Sequence, residues 1–216
     1  MIRYKLTDTD GRTHGGLQWG EGTTHTAPGE GELCTAGWIH VYDDPLLAVL
    51  HNEIHGNFAN ARLYLCECTG KEKREGQLKA GFASVTTIRQ IPLPAITTEQ
   101  RVRYGILCAL AVLPTSGAWA ATWRAWAEKW LEGGERTKAA AEAAEAAAED
   151  AWAAIGVAEA AAWAATWAAT RAAAEDAWAA AGAAEAAAWA AEDAWAAGSE
   201  LDLLALAQRA VAVEVE

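Results

Sequence analysis

Five histidines and four cysteines are the residues of this 216-residue chain best able to bind a metal or act in catalysis. His51 and His55 lie four residues apart in the segment HNEIH, with Glu53 between them. On a helix this spacing places both imidazoles on one face, as in many zinc sites. The order differs from the HExxH motif, and the sequence offers no evident third ligand. We therefore expect solvent-facing or core-edge histidines and no metal site.

The cysteines and glycines also predict no catalytic chemistry. Cys34, Cys66, Cys68 and Cys108 form no CxxC pair and no zinc-site spacing, which favours reduced thiols of a cytosolic protein. The segment GGLQWGEG lacks both the spacing and the Lys-Ser/Thr pair of a phosphate-binding loop. The order of residues supports no Ser-His-Asp or Cys-His arrangement. We expect no catalytic residues and no cofactor.

The elements that would position these side chains are short strands. The segments IRYKLT and ARLYLCECTG alternate in polarity, and a third strand is predicted from Trp38 to Tyr42. Asp44 is a candidate N-cap and Pro45 fits a first helical turn, which together predict a short helix that ends at Gly56.

A longer helix is predicted after Thr97, which forms a capping-box pattern with Gln100. Its apolar stripe predicts a helix that covers the sheet; the stripe consists of Val102, Ile106, Leu110 and Leu113. The sequence therefore predicts an α+β head domain over residues 1–113, a small mixed or antiparallel sheet with one or two helices.

The composition changes near Pro114, after which alanine dominates and ten of the twelve tryptophans occur. This change predicts an Ala/Trp-rich helical tail over residues 115–216. A 26-residue repeat places the segment at Glu149–Ala165 again at Glu175–Ala191, with paired tryptophans 11 residues apart. The tail is either one long helix or folds back at Gly156, at Thr166–Arg171 or at Gly182.

Tryptophan supplies the large apolar surface of this tail, and six rings from Trp152 to Trp195 fall on one helical face. We expect these rings to be buried in helix–helix contacts of a homo-oligomer, because a soluble monomer rarely exposes so large an apolar patch. The alternative is a repeat that arose by slippage and has no role of its own. The candidate interface residues are Trp119, Trp123, Trp126, Trp130, Trp152, Trp163, Trp167, Trp178, Trp189 and Trp195.

The charge of the chain limits its partners. There are 17 Lys and Arg residues against 29 Asp and Glu residues, a net charge of −12. An acidic chain is a poor binder of nucleic-acid backbone, and no apolar run reaches the ~18 residues of a membrane span. The expected partners include copies of the same chain.

Four segments of the head follow one another in a recognisable order: YKLTDTDGRTHGGLQWGEG, GELCTAGWIHVYDDPLLAVL, ARLYLCECTG and GQLKAGFASVTTIRQIPLP. Through these segments, residues 1–113 resemble a domain of unknown function found in phage and prophage proteins. No activity is attached to this resemblance. It implies a phage or prophage protein, which we expect to be non-enzymatic and to act by self-assembly or by binding a host or phage protein, as a virion component or as an acidic inhibitor of a host defence. The expected location is the bacterial host cytoplasm, with incorporation in a phage particle as a variant of it.

A second resemblance implies an alternative function for the head. The segment GWIHVYDDPLLAVL is similar to part of the ADP-ribosyltransferase-like folds, where it lies beside a dinucleotide cleft. The sequence has no recognisable catalytic glutamate motif, since Glu99 directly precedes a helix. The resemblance therefore implies a nucleotide-binding head or an ADP-ribosyltransferase-like one, with Trp38 and His40 as the candidate ligand-binding residues.

Overall fold

The computed structural model describes residues 1–76, 79–114, 117–134, 136–144, 157–173, 177–197 and 201–212. The chain divides into two compact units, Met1–Ala95 and Ile96–Glu216, here named the N-terminal unit and the C-terminal unit. An antiparallel sheet comes first and helices follow, which confirms the predicted order of sheet and helices.

The N-terminal unit contains five antiparallel strands. The two longest strands, the fourth and the fifth, form a hairpin. The first strand pairs with the other edge of the fourth. The strands are β1 (Ile2–Thr7), β2 (Thr24–Thr26), β3 (Ile39–Val41), β4 (Arg62–Glu75) and β5 (Lys79–Ile91). The strands predicted at IRYKLT, at Trp38–Tyr42 and at ARLYLCECTG are all present, and the last extends seven residues beyond Cys68.

The pairing of these strands closes into a ring. β4 joins β1 to β5, and β3 pairs with the other edge of β5. Tyr42, which follows β3, exchanges two backbone hydrogen bonds with Tyr4 of β1, at 2.9 and 2.8 Å. A buried apolar cluster fills this ring; it consists of Trp19, Ile39, Val41, Tyr64, Cys66, Cys68, Ala80, Phe82 and Val85.

Two short helices follow β3: α1 (Pro45–Leu50) and α2 (Asn52–His55). The Asp44 carboxylate accepts a hydrogen bond from the Leu46 amide at 2.8 Å, and Pro45 occupies the first turn, so both parts of the predicted start are confirmed. The single helix predicted up to Gly56 is instead interrupted at His51, which ends α1 and precedes α2.

The C-terminal unit is described as helices. α3 opens with the predicted capping box, in which Thr97 and Gln100 satisfy each other's backbone amides. The next helix, α4, begins after Gly117 and ends before Gly133. The helices are α3 (Thr98–Val112), α4 (Ala118–Leu131), α5 (residues 138–144), α6 (Val157–Ala172), α7 (Ala177–Ala197) and α8 (Leu203–Val211).

The structure assigns α3 to the C-terminal unit, whereas the sequence predicted it as part of the head. The boundary between units lies after Ala95, before α3, and α3 packs against α6, α7 and α8. Its apolar stripe is buried at Val102, Ile106 and Leu113. The stripe correctly predicted a buried face, but an apolar face carries no information about which neighbour covers it.

The repetitive segment contains two helices that pack against each other, α6 and α7. Thr166–Arg171 lies inside α6 and Gly182 lies inside α7, so neither is a fold-back point. Gly156 lies outside the described residues. A Cβ atom on Gly182 would lie 2.5 Å from Nη1 of Arg171, which shows that this glycine admits a close neighbour from α6.

Alanine forms most of the described contact surface among these helices. The buried residues of α6 include Ala161, Ala165 and Ala168. The equivalent repeat positions of α7 are also buried, and they are Ala187, Ala191 and Ala194. A Cβ atom added to Gly105 of α3 would lie 3.2 Å from Cα of Ala187, so α3 and α7 approach almost backbone to backbone. Small side chains permit this spacing, which large side chains at the same positions would prevent. None of the described helices has the length and apolar character of a membrane span.

Candidate functional site

The N-terminal unit contains a cavity of about 320 Å³ between β1, β3 and the loops that precede α1 and follow α2. Its polar and titratable lining residues are Lys5, Thr13, His14, Cys34, His40, Tyr42, His55 and Lys79. Its remaining lining residues are Leu6, Leu17, Trp38, Ile39, Gly56 and Phe58. The volume lies at the lower end of the ~300–1,000 Å³ typical of small-molecule sites.

Lys5 is the most deeply placed cation of the cavity. It lies on β1, and its side chain is nearly fully buried, with 6% of the residue exposed. Its Nζ donates a hydrogen bond to the His40 carbonyl at 2.9 Å and lies 4.7 Å from the centre of the Trp19 ring. Burial lowers the pKa of Lys5 from 10.5 to about 8, a shift partly opposed by the nearby thiols of Cys66 and Cys68.

His40 and Trp38 reach the cavity from β3 and the residue before it. The His40 imidazole is hydrogen-bonded through Nε2 to the Leu33 carbonyl. The Trp38 indole donates to the Gly31 carbonyl at 3.1 Å. Both side chains are thus anchored by the loop between β2 and β3. Burial is the main cause that lowers the pKa of His40, with further lowering from the charges of Lys5 and Lys79.

The opposite wall combines aromatic rings with further imidazoles. His14 lies with Nε2 2.8 Å from the Gly56 carbonyl, and its ring stacks on Phe58 at 5.1 Å. The Tyr42 hydroxyl lies 3.0 Å from Nδ1 of His55, and these two rings also stack. These contacts hold flat side chains at fixed positions around the cavity.

The charge of this cavity is opposite to that of the chain. Two lysines and three histidines line it, and among its described lining residues none is an aspartate or a glutamate. No ion pair joins Lys5 to a carboxylate of the described residues, and its Nζ donates a hydrogen bond to a backbone carbonyl. Such a surface favours a small anion, and its flat aromatic walls favour a ligand that also carries a ring.

Trp38 and His40, the two predicted ligand-binding residues, both line this cavity. Sequence reasoning missed Lys5, His14, His55 and Lys79. A signal existed for Lys5, because a strand whose alternate positions are Arg3, Lys5 and Thr7 places all three on one face. That face contacts the core, where Arg3 lies over the Phe82 ring and Lys5 over the Trp19 ring.

The HNEIH histidines differ from each other in exposure. His51 was expected at the solvent or at the edge of the core, but it is fully buried. Its ring stacks on His55 at 5.5 Å. His55 is half-buried at the cavity wall, so the helical spacing of the pair does place the two rings side by side.

The candidate interface tryptophans occupy different environments. Trp123, Trp126 and Trp130 are buried in α4, where the Trp123 indole donates to the Ala162 carbonyl of α6 at 3.2 Å. Three are half-buried: Trp119, Trp167 and Trp195. Trp189 is 45% exposed on α7. Trp152 and the side chains of Trp163 and Trp178 lie outside the described residues.

Comparison with known proteins finds one family model that is similar to the N-terminal part of the chain. The searches of curated proteins and of solved structures find no significant match. A family model does match, and its range contains the whole strand ring and every residue that lines the cavity. The predicted resemblance of the head to a domain of unknown function is thereby confirmed over residues 1–99. Those residues match the family described as Domain of unknown function (DUF7666).

Proposed function

We propose that the N-terminal unit binds a small anionic ligand that carries an aromatic ring, with a mononucleotide as the representative class. One observation carries this proposal: Lys5 is buried at a cavity that Lys79 also lines, and it has no described carboxylate partner. A buried charge without a partner is unfavourable, and a bound anion would compensate it.

The aromatic walls and the volume of the cavity support the nucleotide class. Trp38, Phe58 and the imidazole of His14 present flat surfaces on which a base could stack. About 320 Å³ suits a single nucleotide better than a dinucleotide. The proposal thus keeps the nucleotide-binding part of the alternative expected from the sequence, and it includes no transfer reaction.

Calorimetric titration with AMP, inorganic phosphate and adenosine tests the proposal. AMP is expected to bind more tightly than adenosine, because a charge-assisted hydrogen bond to a phosphate contributes about 1.5–3 kcal/mol, roughly 10- to 100-fold in affinity. Lys5→Met should remove most of this difference. Lys71→Met is the matched control, because Lys71 is an exposed lysine that contacts Glu30 at 3.5 Å. Equal affinity for AMP and adenosine, or no binding of either, would contradict the proposal.

We further propose that the C-terminal unit mediates self-association, and that the chain acts in this way in a phage or prophage setting. The supporting observation is Trp189, which is 45% exposed on a helix whose other described faces are largely buried alanine. The partners would be copies of this chain and a host or phage protein, in the bacterial cytoplasm or in a particle. Mass spectrometry of purified particles would separate those two locations.

Light scattering at increasing ionic strength tests self-association. Between Lys138 and Gly198 there are ten Asp and Glu residues against two Lys and Arg residues, so added salt should strengthen association by screening repulsion. Trp189→Ala should weaken it. Leu93→Ala is the control, because Leu93 is similarly exposed in the other unit. A monomer at every salt concentration would refute the proposal.

A further inference from the structure

We propose that Lys5 forms a covalent imine with an aldehyde-bearing anionic ligand held in the cavity. This inference rests on the proposed anion-binding function, which it extends from binding to a chemical bond. It concerns one side chain, and it identifies the ligand class as an anion with a reactive carbonyl group.

The position of Lys5 meets the geometric needs of such an amine. Its side chain lies at the cavity wall and is almost fully buried, so the amine can meet a carbonyl only inside the cavity. The His40 carbonyl accepts one hydrogen bond from Nζ at 2.9 Å, and the Trp19 ring lies 4.7 Å away. A lysine amine has three donor hydrogens when protonated, so this single described hydrogen bond fixes its direction without using its full capacity.

The surroundings of Lys5 also favour the reactive form of the amine. Only a neutral amine attacks a carbonyl, and burial lowers the pKa of Lys5 to about 8. At pH 7.5 about a quarter of Lys5 would therefore be neutral, against roughly one in a thousand for an ordinary exposed lysine. No described carboxylate counteracts the shift.

Lys79, the second lysine of the cavity, would hold the anionic group during this reaction. The imidazoles of His14 and His40 line the same space and offer it hydrogen-bonding atoms. A lysine that attacks needs a separate charge to bind the anion, and Lys79 supplies one. Retention of the anionic group near the amine raises the effective concentration of the carbonyl.

The reaction balances without an oxidant or a reductant. The lone pair of the neutral Lys5 amine attacks the aldehyde carbon, and a C–N bond forms while the carbonyl π electrons move to oxygen. The two hydrogens of the amine and this oxygen leave as one water molecule. The product is a C=N bond between the ligand and Nζ, and hydrolysis reverses the step.

Pyridoxal 5′-phosphate is a suitable probe, because it joins an aldehyde, an aromatic ring and a phosphate. The full-length protein is incubated with the probe, reduced with borohydride and digested with trypsin. Modification of Lys5 blocks cleavage there and yields the peptide of residues 4–12, whereas unmodified protein yields residues 4–5 and 6–12. We expect Lys5 to be labelled at least 10-fold faster than Lys71 at pH 7.5, with a pH midpoint for labelling near 8.

Pyridoxine 5′-phosphate, which lacks the aldehyde, separates binding from bond formation. It should bind to the protein and slow the labelling of Lys5 by competition. Lys5→Arg should retain phosphate binding and lose the label, whereas Lys71→Arg should lose neither. If Lys5→Arg does not fold, the peptide map and the competition experiment on the natural chain still show whether Lys5 forms the imine.

Each outcome has a defined consequence. Label on Lys5 that pyridoxine 5′-phosphate suppresses supports the imine. Binding of pyridoxine 5′-phosphate with no label on Lys5, or with the label on Lys79 instead, overturns the imine and leaves the proposed binding function intact. Equal labelling of Lys5 and Lys71 also overturns it. If no anionic probe binds, the proposed function fails and the imine fails with it.

Discussion

The two units bury different kinds of side chain. The interior of the N-terminal unit includes Lys5, His51 and Thr87 among aromatic and aliphatic residues, and a cavity remains beside it. The C-terminal unit buries alanine on α6 and α7, with the large rings supplied chiefly by α4. Of these three polar residues, Lys5 lines the cavity. The arrangement in the C-terminal unit brings backbones together and depends on the absence of side-chain volume.

The largest expected effect separates a buried tryptophan from an exposed one in the C-terminal unit. Trp123→Ala should lower the free energy of unfolding by about 3–5 kcal/mol, because the ring is fully buried and its indole donates to Ala162. Trp189→Ala, at a ring that is 45% exposed, should cost less than about 1 kcal/mol. Urea denaturation followed by helical circular dichroism measures both, and equal losses would contradict the difference in burial.

The second prediction adds volume to the alanine surface. Ala187→Leu should cost about 1–3 kcal/mol, because Ala187 lies against Gly105 where the two backbones nearly touch. Ala121→Leu is the matched control, since Ala121 is exposed on α4 and the same change should alter stability by about 0.5 kcal/mol or less. If both changes are tolerated alike, close packing does not limit the C-terminal unit.

The third prediction concerns the buried cation of the N-terminal unit and its pH dependence. The folded pKa of Lys5 is about 8 and the unfolded value is 10.5, so between these values the unfolded chain holds a proton that the folded chain has lost. Stability from this group therefore rises with pH. Relative to Lys5→Met, the natural chain should gain about 1 kcal/mol from pH 7 to pH 9.

The comparison with Lys5→Met is needed because two buried thiols change the stability with pH in the opposite direction to Lys5. Burial raises the pKa of Cys68 to about 11 and that of Cys66 to about 12. Stability from these groups falls as the pH rises above the ordinary thiol pKa of 9.0. The two thiols are present in both proteins, so their contribution largely cancels in the difference. A pH-independent difference between the two proteins would show that Lys5 is not buried as described.

The smallest expected effect concerns the start of α3. Thr97→Ala removes the hydroxyl that accepts a hydrogen bond from the Gln100 amide at 3.1 Å, and should cost on the order of 0.5–1 kcal/mol. Thr122→Ala is the control, because Thr122 is an exposed residue inside α4 and alanine is the better helix former. Thermal unfolding of the two variants measures the difference, and a larger loss for Thr122→Ala would contradict the role of the capping box.

Local features were predictable because they depend on neighbours in the sequence. The Asp44 cap, the Thr97 capping box and the alternating strands each involve residues within a few positions of one another. The partner of α3 was not predictable, since an apolar stripe specifies a buried face and not the surface that covers it. The role of Gly182 depended on Arg171 of a different helix.

The candidate site was predictable only in part for the same reason. Trp38 and His40 lie within one segment whose resemblance could be recognised. Lys5, His14, His55 and Lys79 are spread over 75 positions, and only the closed pairing of the strands brings them together. The sequence did contain one signal for this site: a lysine at an inward-facing position of a strand, which predicts a buried cation.

The ring of strands has a consequence for when the cavity can exist. Lys5 lies on β1, whose partner β4 begins at Arg62, and the Tyr4–Tyr42 bonds complete the ring. During synthesis β1 is made before β4, and it cannot pair with β4 until more than half of the N-terminal unit has been made. Contacts between such distant residues form slowly, whereas helices form from near neighbours. If the proposed ligand binds only the assembled cavity, its binding would stabilise the state in which β1 has joined the ring.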